Sequence, residues 1–264
     1  MKLALLGTGR MGREVEAVAR ERGHQITLRL DSATNVAGEG LSPEALGGAT
    51  VAIDFTAAPA VLPNVQAAAE LGVNMVVGTT GWEEDREQVV EAVEDAGTGL
   101  LHAPNFSLGM LLFISVVREA ARLVDGLPMY DVHLWEAHHR HKVDHPGGTA
   151  RRLAELLVEG IQRKSGWELD LPPDQAVEPE RLQVSVIRAG EIPGTHGVGL
   201  EGPDDRIELR HEARSRRGFA RGAVVAAEWL QGRSGVYTLE DLLASRLEGG
   251  ASPAASSPPK KEVP

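Results

Sequence analysis

Along the first hundred residues, short continuous apolar runs alternate with amphipathic stretches of helical period. Met1–Leu6, Gln25–Leu30, Val51–Phe55, Val73–Val77 and Gly99–Ala103 read as short buried strands. Between them, a helical segment to about Arg22 sets Met11, Val15, Val18 and Ala19 on one side. Ala58–Leu71 reads as a helix despite Pro59 and Pro63 near its start, and Glu83–Ala96 as an amphipathic helix. Repeated strand–helix units predict a parallel, doubly wound α/β sheet. Ligands of such sheets bind outside the carboxyl ends of the strands. The small, polar segments 54–56, 78–81 and 103–107 are therefore expected to line one crevice.

Beyond residue 107 the pattern changes. Leu108–Val124 predicts an apolar helix, Met129–Glu136 an alternating strand, and Thr149 to about Gly160 a helix carrying Leu153, Leu156 and Leu157. Lys164–Pro179, rich in proline and acid, reads as a loop. Arg181–Arg188, Thr195–Leu200 and Asp205–Glu212 follow in hairpin-like succession, which predicts a second, mostly antiparallel or mixed sheet. Helices are expected near Phe219–Leu230 and Leu239–Leu247, and residues 248–264, with almost nothing to bury, as a disordered tail.

Chemistry enters first at Gly7-Thr8-Gly9-Arg10-Met11-Gly12, which follows a strand and opens a helix. Asp31 stands at the end of the second strand, nineteen residues after Gly12. In that layout Gly7 makes the tight turn, Gly9 lets backbone approach a pyrophosphate, Gly12 lets helix pack on strand, and Asp31 reaches a ribose hydroxyl. The expected first domain is thus a Rossmann-type dinucleotide-binding sheet.

Composition narrows the partners. The 264 residues, 42% hydrophobic and 25% charged, suit one large or two modest globular domains. A net charge of −11, with no long lysine or arginine block, argues against a nucleic-acid partner. The first apolar run is too short for a signal peptide, and no stretch reaches membrane-spanning length, so no membrane partner is expected. The lack of cysteine excludes disulfides, thiolate nucleophiles and zinc–thiolate sites; a cytoplasmic address is expected.

Against this acidic background, Glu136 to Ala150 packs four histidines, Lys142 and Arg140 into fifteen residues, breaks at Pro-Gly-Gly and restarts as a helix. Imidazoles titrate near neutral pH and pass protons, and a glycine turn feeding a helix offers free N–H groups to an anion. Residues 138 and 142 share a face in either a strand or a helix; His139 joins them only if the strand ends there. The stretch admits three readings. Each residue is an ordinary surface or hydrogen-bonding group; or His139 and His141, with Glu136, Asp144 and His145, hold a metal; or the cations grip carboxylates while a histidine or lysine delivers a proton. The metal reading lacks the H-E-x-x-H spacing and sets lysine and arginine among the ligands, so no metal is expected. The third explains most: beside a nicotinamide, it is what reducing a small di-acid requires.

The stretch Glu136–Asp144, with its Pro-Gly-Gly-Thr-Ala continuation, resembles the active-site motif of the 4-hydroxy-tetrahydrodipicolinate reductase (dihydrodipicolinate reductase) family of the lysine and diaminopimelate pathway. Supporting likenesses are Gly-Arg-Met-Gly at 9–12, Asp-Phe-Thr at 54–56, Gly-Thr-Thr-Gly at 78–81, Pro-Asn-Phe-Ser at 104–107, Arg-Ala-Gly at 188–190 and the run around 211–223. The resemblance implies His138 as acid/base residue and Lys142 as proton donor. It implies His139, Gly148 and Thr149 as contacts of a small cyclic dicarboxylate. It also implies Gly7, Thr8, Gly9, Arg10, Met11, Gly12, Asp31, Gly78, Thr79, Thr80, Ala103, Pro104, Asn105 and Phe106 as the shell of NADH or NADPH. The implied organisation is a dinucleotide-binding domain of residues 1–106 completed by 218–247, and an inserted α+β substrate and oligomerisation domain, 107–217, on a mixed sheet that builds a homotetramer.

Three departures from the family pattern stand out: a shorter glycine loop, Gly147 where serine is common, and His145 where a small residue is common. Ser32 after Asp31 offers no cation to a 2′-phosphate, which favours NADH, although Arg10 is placed to serve NADPH. Two other classes stay open at this point: a related dehydrogenase of a simpler amino-acid precursor, and a dinucleotide sensor without turnover.

Overall fold

The structure, a computed structural model, describes residues 1–171, 174 and 176–247; the expected disordered tail lies outside the described residues. The chain divides into two compact units, one of residues 1–108 with the chain from Arg216 onward, the other Gly109–Ser215.

The first unit begins β1 (Lys2–Leu6), α1 (Arg10–Glu21), β2 (Gln25–Leu30), a single turn α2 (Pro43–Leu46), β3 (Val51–Asp54), α3 (Ala58–Glu70) and β4 (Asn74–Val77). A 3-10 turn at Glu83–Asp85 leads into α4 (Arg86–Asp95), then β5 (Gly99–His102). Every residue of β3 and β4 is buried, which is why these strands read as unbroken apolar runs rather than alternating ones. α1 buries Gly12, Val15, Val18 and Ala19, whereas Met11, expected on that side, is half-buried. Gly12 takes the inner place because a Cβ there would lie 1.9 Å from the Gly7 carbonyl oxygen: the helix is seated on its own glycine turn.

The second unit holds α5 (Leu108–Asp125), β6 (Asp131–His138), α6 (Gly148–Gly160), β7 (Gly166–Leu169), β8 (Arg181–Arg188), β9 (Thr195–Glu201) and β10 (Arg206–Glu212). Its sheet runs β10-β9-β6-β8-β7 and is mixed, with β6 and β7 parallel to β8 and β9 antiparallel to both β6 and β10. Two expectations change. The stretch 164–179 is not all loop: Trp167 and Leu169 are half-buried against the core, and β8 supplies the partner that local composition hides. Nor do the three later strands form successive hairpins, because β6 lies between β8 and β9; only β9–β10 is a hairpin. One face of the sheet is covered, with Val117, Ala121, Leu153 and Leu157 packed on Val132, Leu134, Val184 and Val198. On the opposite face Ile187 is exposed, and the rings of Trp135 and His133 lie over Gly197 and Gly199, where a Cβ would come within 2.3 and 2.1 Å of them.

The chain then returns to the first unit as α7 (Arg217–Leu230), β11 (Gly235–Tyr237) and α8 (Leu239–Leu247). α7 packs beside α1 and on β3, β4 and β5. β11, three residues long and not anticipated from any period, adds a parallel edge to β5, giving the order β11-β5-β4-β3-β1-β2. Buried Asn74 ties the parts together: its amide donates to the carbonyls of Leu230 and Arg233, and its oxygen accepts the Gly99 N–H at 2.8 Å.

Candidate functional site

In the first unit the glycine loop is built for a backbone approach. Gly7 has φ +94°, and a Cβ there would meet the Phe55 carbonyl oxygen at 2.3 Å, so the turn tolerates no side chain. A Cβ on Gly9 would meet nothing within 4 Å, so that side of the loop is open. α1 has no side-chain cap and no acid in its first turn, leaving the N–H groups of Arg10, Met11 and Gly12 for an anion. Thr8 and Arg10 are exposed. Asp31 is exposed too; its Oδ1 accepts from Thr34 Oγ1 (3.0 Å) and the N–H groups of Ala33 (3.0 Å) and Thr34 (3.1 Å), bonds that hold its pKa below the usual carboxylate value. The carboxylate is thereby oriented at the end of β2.

At the ends of β3, β4 and β5, Gly78 lies against the Phe55 ring, whose edge meets Phe106 at 6.1 Å between centroids. Thr79 donates to Asp54 Oδ1 at 2.8 Å and accepts the Thr56 N–H, while Thr80 is exposed. Thr79, Thr80, Ala103 and Pro104 share one pocket with Trp82 and His102, which sequence reasoning did not single out. Trp82 donates to the Thr79 carbonyl at 2.8 Å and its ring meets His102 edge-on at 5.4 Å. Asn105 accepts the Ser107 N–H, fixing the loop in which Phe106 is buried. Asp54, expected only as part of the 54–56 segment lining the crevice, proves to be the centre of a buried hydrogen-bond network. Fully buried, it accepts from Thr56 and Thr79 on Oδ1 and from Asn64 on Oδ2 (2.8 Å), and Asn64 in turn accepts from Asn35 (2.7 Å). A polar chain thus runs from the β2–α2 loop to the Gly-Thr-Thr turn.

In the second unit β6 ends at His138, so His139 leaves the strand direction and Lys142 follows through a turn closed by the Lys142 N–H on the His139 carbonyl (3.1 Å). Lys142 Nζ donates to both oxygens of Asp144 at 2.7 and 2.8 Å. His139 Nδ1 is buried without a partner, and exposed His141 faces Glu191. His145 is exposed and bonds only the Val143 carbonyl. α6 starts with no side-chain cap and no acid in its first turn; Gly148 is exposed and Thr149 half-buried, their N–H groups at a helix start. Gly147 has its own reason: a Cβ there would lie 2.9 Å from Lys142 Cε and 3.1 Å from Glu136 Oε2.

Beneath these residues lies fully buried Glu136. Its Oε1 accepts from Arg188 Nη2 (2.6 Å) and the Gly147 N–H (2.9 Å); its Oε2 lies 3.4 Å from His138 Nδ1 and 3.6 Å from His196 Nε2. Burial alone would raise the carboxyl's pKa, but the His196 ring beside Oε2 and the hydrogen bonds from Arg188 and Gly147 bring it down to about 2. Burial lowers His138 to about 4, against the pull of Glu136, so its ring is neutral at pH 7. Arg188 and His196 arrive by strand register, Arg188 opposite His138 on β8 and His196 opposite Glu136 on β9. Neither has a local sequence signal beyond the Arg-Ala-Gly at 188–190. Ligand atoms of Glu136, His138 and His196 lie within 4.8 Å of one another, as metal ligands would, but the Arg188 guanidinium on the same carboxylate opposes a cation there.

A family model described as "Dihydrodipicolinate reductase, N-terminus" matches residues 1–106, and its C-terminal counterpart residues 109–243. A 4-hydroxy-tetrahydrodipicolinate reductase of Christiangramia forsetii is 36% identical over 92% of this chain and 98% of its own. One from Archaeoglobus fulgidus is 38% identical over 92% of this chain and the whole of its own. The fold is similar to that of a dipicolinate-bound dihydrodipicolinate reductase from Paenisporosarcina sp. TG-14, with a TM-score of 0.70 at 21% identity over 90% of this chain and 97% of the other.

Proposed function

The chain belongs to the dihydrodipicolinate reductase family, and we infer from that premise that it is an NAD(P)-dependent oxidoreductase reducing 4-hydroxy-tetrahydrodipicolinate to tetrahydrodipicolinate in lysine and diaminopimelate biosynthesis. What carries the reading is that both halves of the family pattern are present, residues 1–106 with the glycine loop and 109–243 with the histidine–lysine motif. The balanced reaction takes the hydroxy di-acid, the reduced nucleotide and a proton to the unsaturated di-acid, the oxidised nucleotide and water.

The open side of Gly9 and the uncapped start of α1 fit a dinucleotide pyrophosphate. When bound, the reduced nucleotide supplies the hydride. Gly7–Gly12 cradle the pyrophosphate, Asp31 holds a ribose hydroxyl, and Gly78–Thr80 with Ala103–Phe106 receive the nicotinamide end. The charge of Asp31, with no cation following it, favours NADH over NADPH.

The N–H groups of Gly148 and Thr149, with His139, take the substrate carboxylates through charge-assisted hydrogen bonds. Lys142 exchanges Asp144 for the substrate. His138 is neutral in the free site, so Lys142 is the charged proton donor there, and two arriving carboxylates draw His138 toward protonation as well. After the hydroxyl leaves as water and hydride reaches the ring, one of these two groups protonates the adjacent carbon. The substrate is a small cyclic dicarboxylate, consistent with the dipicolinate held by the structural neighbour. We place the enzyme in the cytoplasm and assign it a homotetramer, the assembly being supported by the second unit's sheet face with exposed Ile187 and the rings of Trp135 and His133 over Gly197 and Gly199.

The test follows NADH absorbance with 4-hydroxy-tetrahydrodipicolinate, with aspartate semialdehyde, and with oxaloacetate plus ammonia. Oxidation with the first alone is expected. Oxidation with either of the others, or binding of NADH without turnover, overturns the reading.

A further inference from the structure

We propose that Glu136 is the positioning residue of the histidine–lysine site: its Oε2 holds the ring and the charge of His138, while its Oε1 anchors the helix start that presents Gly148 and Thr149. The inference rests on the reductase reading and deepens it.

The two oxygens have different neighbours. Oε1 is fully engaged, by the Gly147 N–H at 2.9 Å and Arg188 Nη2 at 2.6 Å. Oε2 is buried with no hydrogen-bond partner, and so are His138 Nδ1 and both ring nitrogens of His196. Three of these orphaned atoms face one another: Oε2 lies 3.4 Å from His138 Nδ1 and 3.6 Å from His196 Nε2, and the two rings meet edge-on at 5.2 Å. Buried polar atoms are ordinarily paired, so a group left open on all sides is one a small ring movement completes. Hydrogen bonds among acid–base groups often tighten only when substrate is bound. The closed form has Oε2 accepting from His138 Nδ1–H, which leaves Nε2 toward the site. Gly194, where a Cβ would come within 3.0 Å of that Nε2, keeps the outer side of the ring free of a side chain.

The charges around His138 determine what removing Glu136 does. Glu136 faces it from its own strand, His196 from β9, Arg188 from β8 and Lys142 from the turn; Glu136 raises its proton affinity and the other three lower it. Glutamine at 136 keeps the shape and loses the only one of these that favours an imidazolium. A carboxylate whose charge is spent on Arg188, and which serves only the Gly147 and Arg188 bonds, would leave the titration of His138 where it was.

The experiment compares the full chain with Glu136→Gln and Arg188→Gln by NMR titration of labelled histidines with NAD+ and dipicolinate bound, His138 being assigned with a His138→Asn control, and by steady-state kinetics. Glu136→Gln is expected to move the His138 midpoint down by about one pH unit or more. It should lower kcat at least about tenfold with the nucleotide KM unchanged. Arg188→Gln, which leaves Glu136 less neutralised, moves the midpoint up. Equal midpoints, or shifts of the same sign in both variants, overturn the proposal. If Glu136→Gln does not fold, Arg188→Gln and the charge-retaining Glu136→Asp decide it: the first must shift His138 upward, and the second must keep it nearer the parent value. A parent protein that fails to turn over the hydroxy di-acid sinks the reductase reading, whereas the titration still judges Glu136.

Discussion

At the scale of single residues, the site combines a lysine held by a carboxylate with a histidine kept neutral by burial. Lys142 is salt-bridged to Asp144 at 2.7 Å, a bond that the proposed role of proton donor requires it to exchange. Lys142→Ala is therefore expected to lower kcat about a hundredfold or more while leaving the nucleotide KM in place, read from initial rates. On the proposed placement of Asp31 at the ribose, Asp31→Ala should raise kcat/KM with NADPH relative to NADH by removing a charge that would repel a 2′-phosphate; an unchanged ratio would remove Asp31 from that role. Acid should weaken the fold through two of these groups. His138 has its pKa lowered from 6.5 to about 4, so the stability of burying it neutral is complete above pH 6.5 and lost as the pH falls toward 4. Glu136, lowered from 4.5 to about 2, adds stability that is present above pH 4.5 and lost as the pH falls toward 2. Thermal melts should thus decline steadily below pH 6.5; a flat Tm between pH 7 and pH 4 would contradict the burial of His138.

Elements carry the site by their ends. β3 and β4 deliver Asp54 and the Gly-Thr-Thr turn, and α3 delivers Asn64, whose amide spans from Asp54 Oδ2 to Asn35. Asn64→Ala leaves a fully buried carboxylate oxygen without that donor and should cost about 1–3 kcal/mol in denaturant melts. It should also raise the KM for the nucleotide, since the chain it breaks joins the loop after Asp31 to Thr79. In the other sheet, the start of α6 sits where Glu136 accepts the Gly147 N–H. That bond ties the end of the strand carrying His138 to the start of the helix carrying Thr149.

At the scale of the whole molecule, one compact unit carries the glycine loop and Asp31 and the other the histidine–lysine motif. The second unit leaves one sheet face open, and the glycines of β9 make room there for the rings of Trp135 and His133. If that face joins subunits, Gly197→Val, which drives a side chain into the Trp135 ring, should shift the sedimentation profile from tetramer to smaller species. A tetramer that survives this change would move the interface elsewhere. Among the described residues no helix is long and apolar enough to cross a membrane.

Local patterns were enough to read the parallel sheet, the helix opened by the glycine loop, and the basic stretch that breaks at Pro-Gly-Gly. Each of these is written in residues a few positions apart, where period, turn chemistry and helix starts operate. What lay beyond reach depends on which strand lies beside which. β7 and β11 are too short for a period and exist because β8 and β5 offer edges to pair with. Arg188 meets Glu136 only because β8 runs parallel to β6 in a register that sets it opposite His138, and His196 meets Glu136 only because β9 lies on the other side. Side-chain spacing along a chain determines faces and turns; strand order and register, fixed by packing between distant segments, determined which charges surround the imidazole.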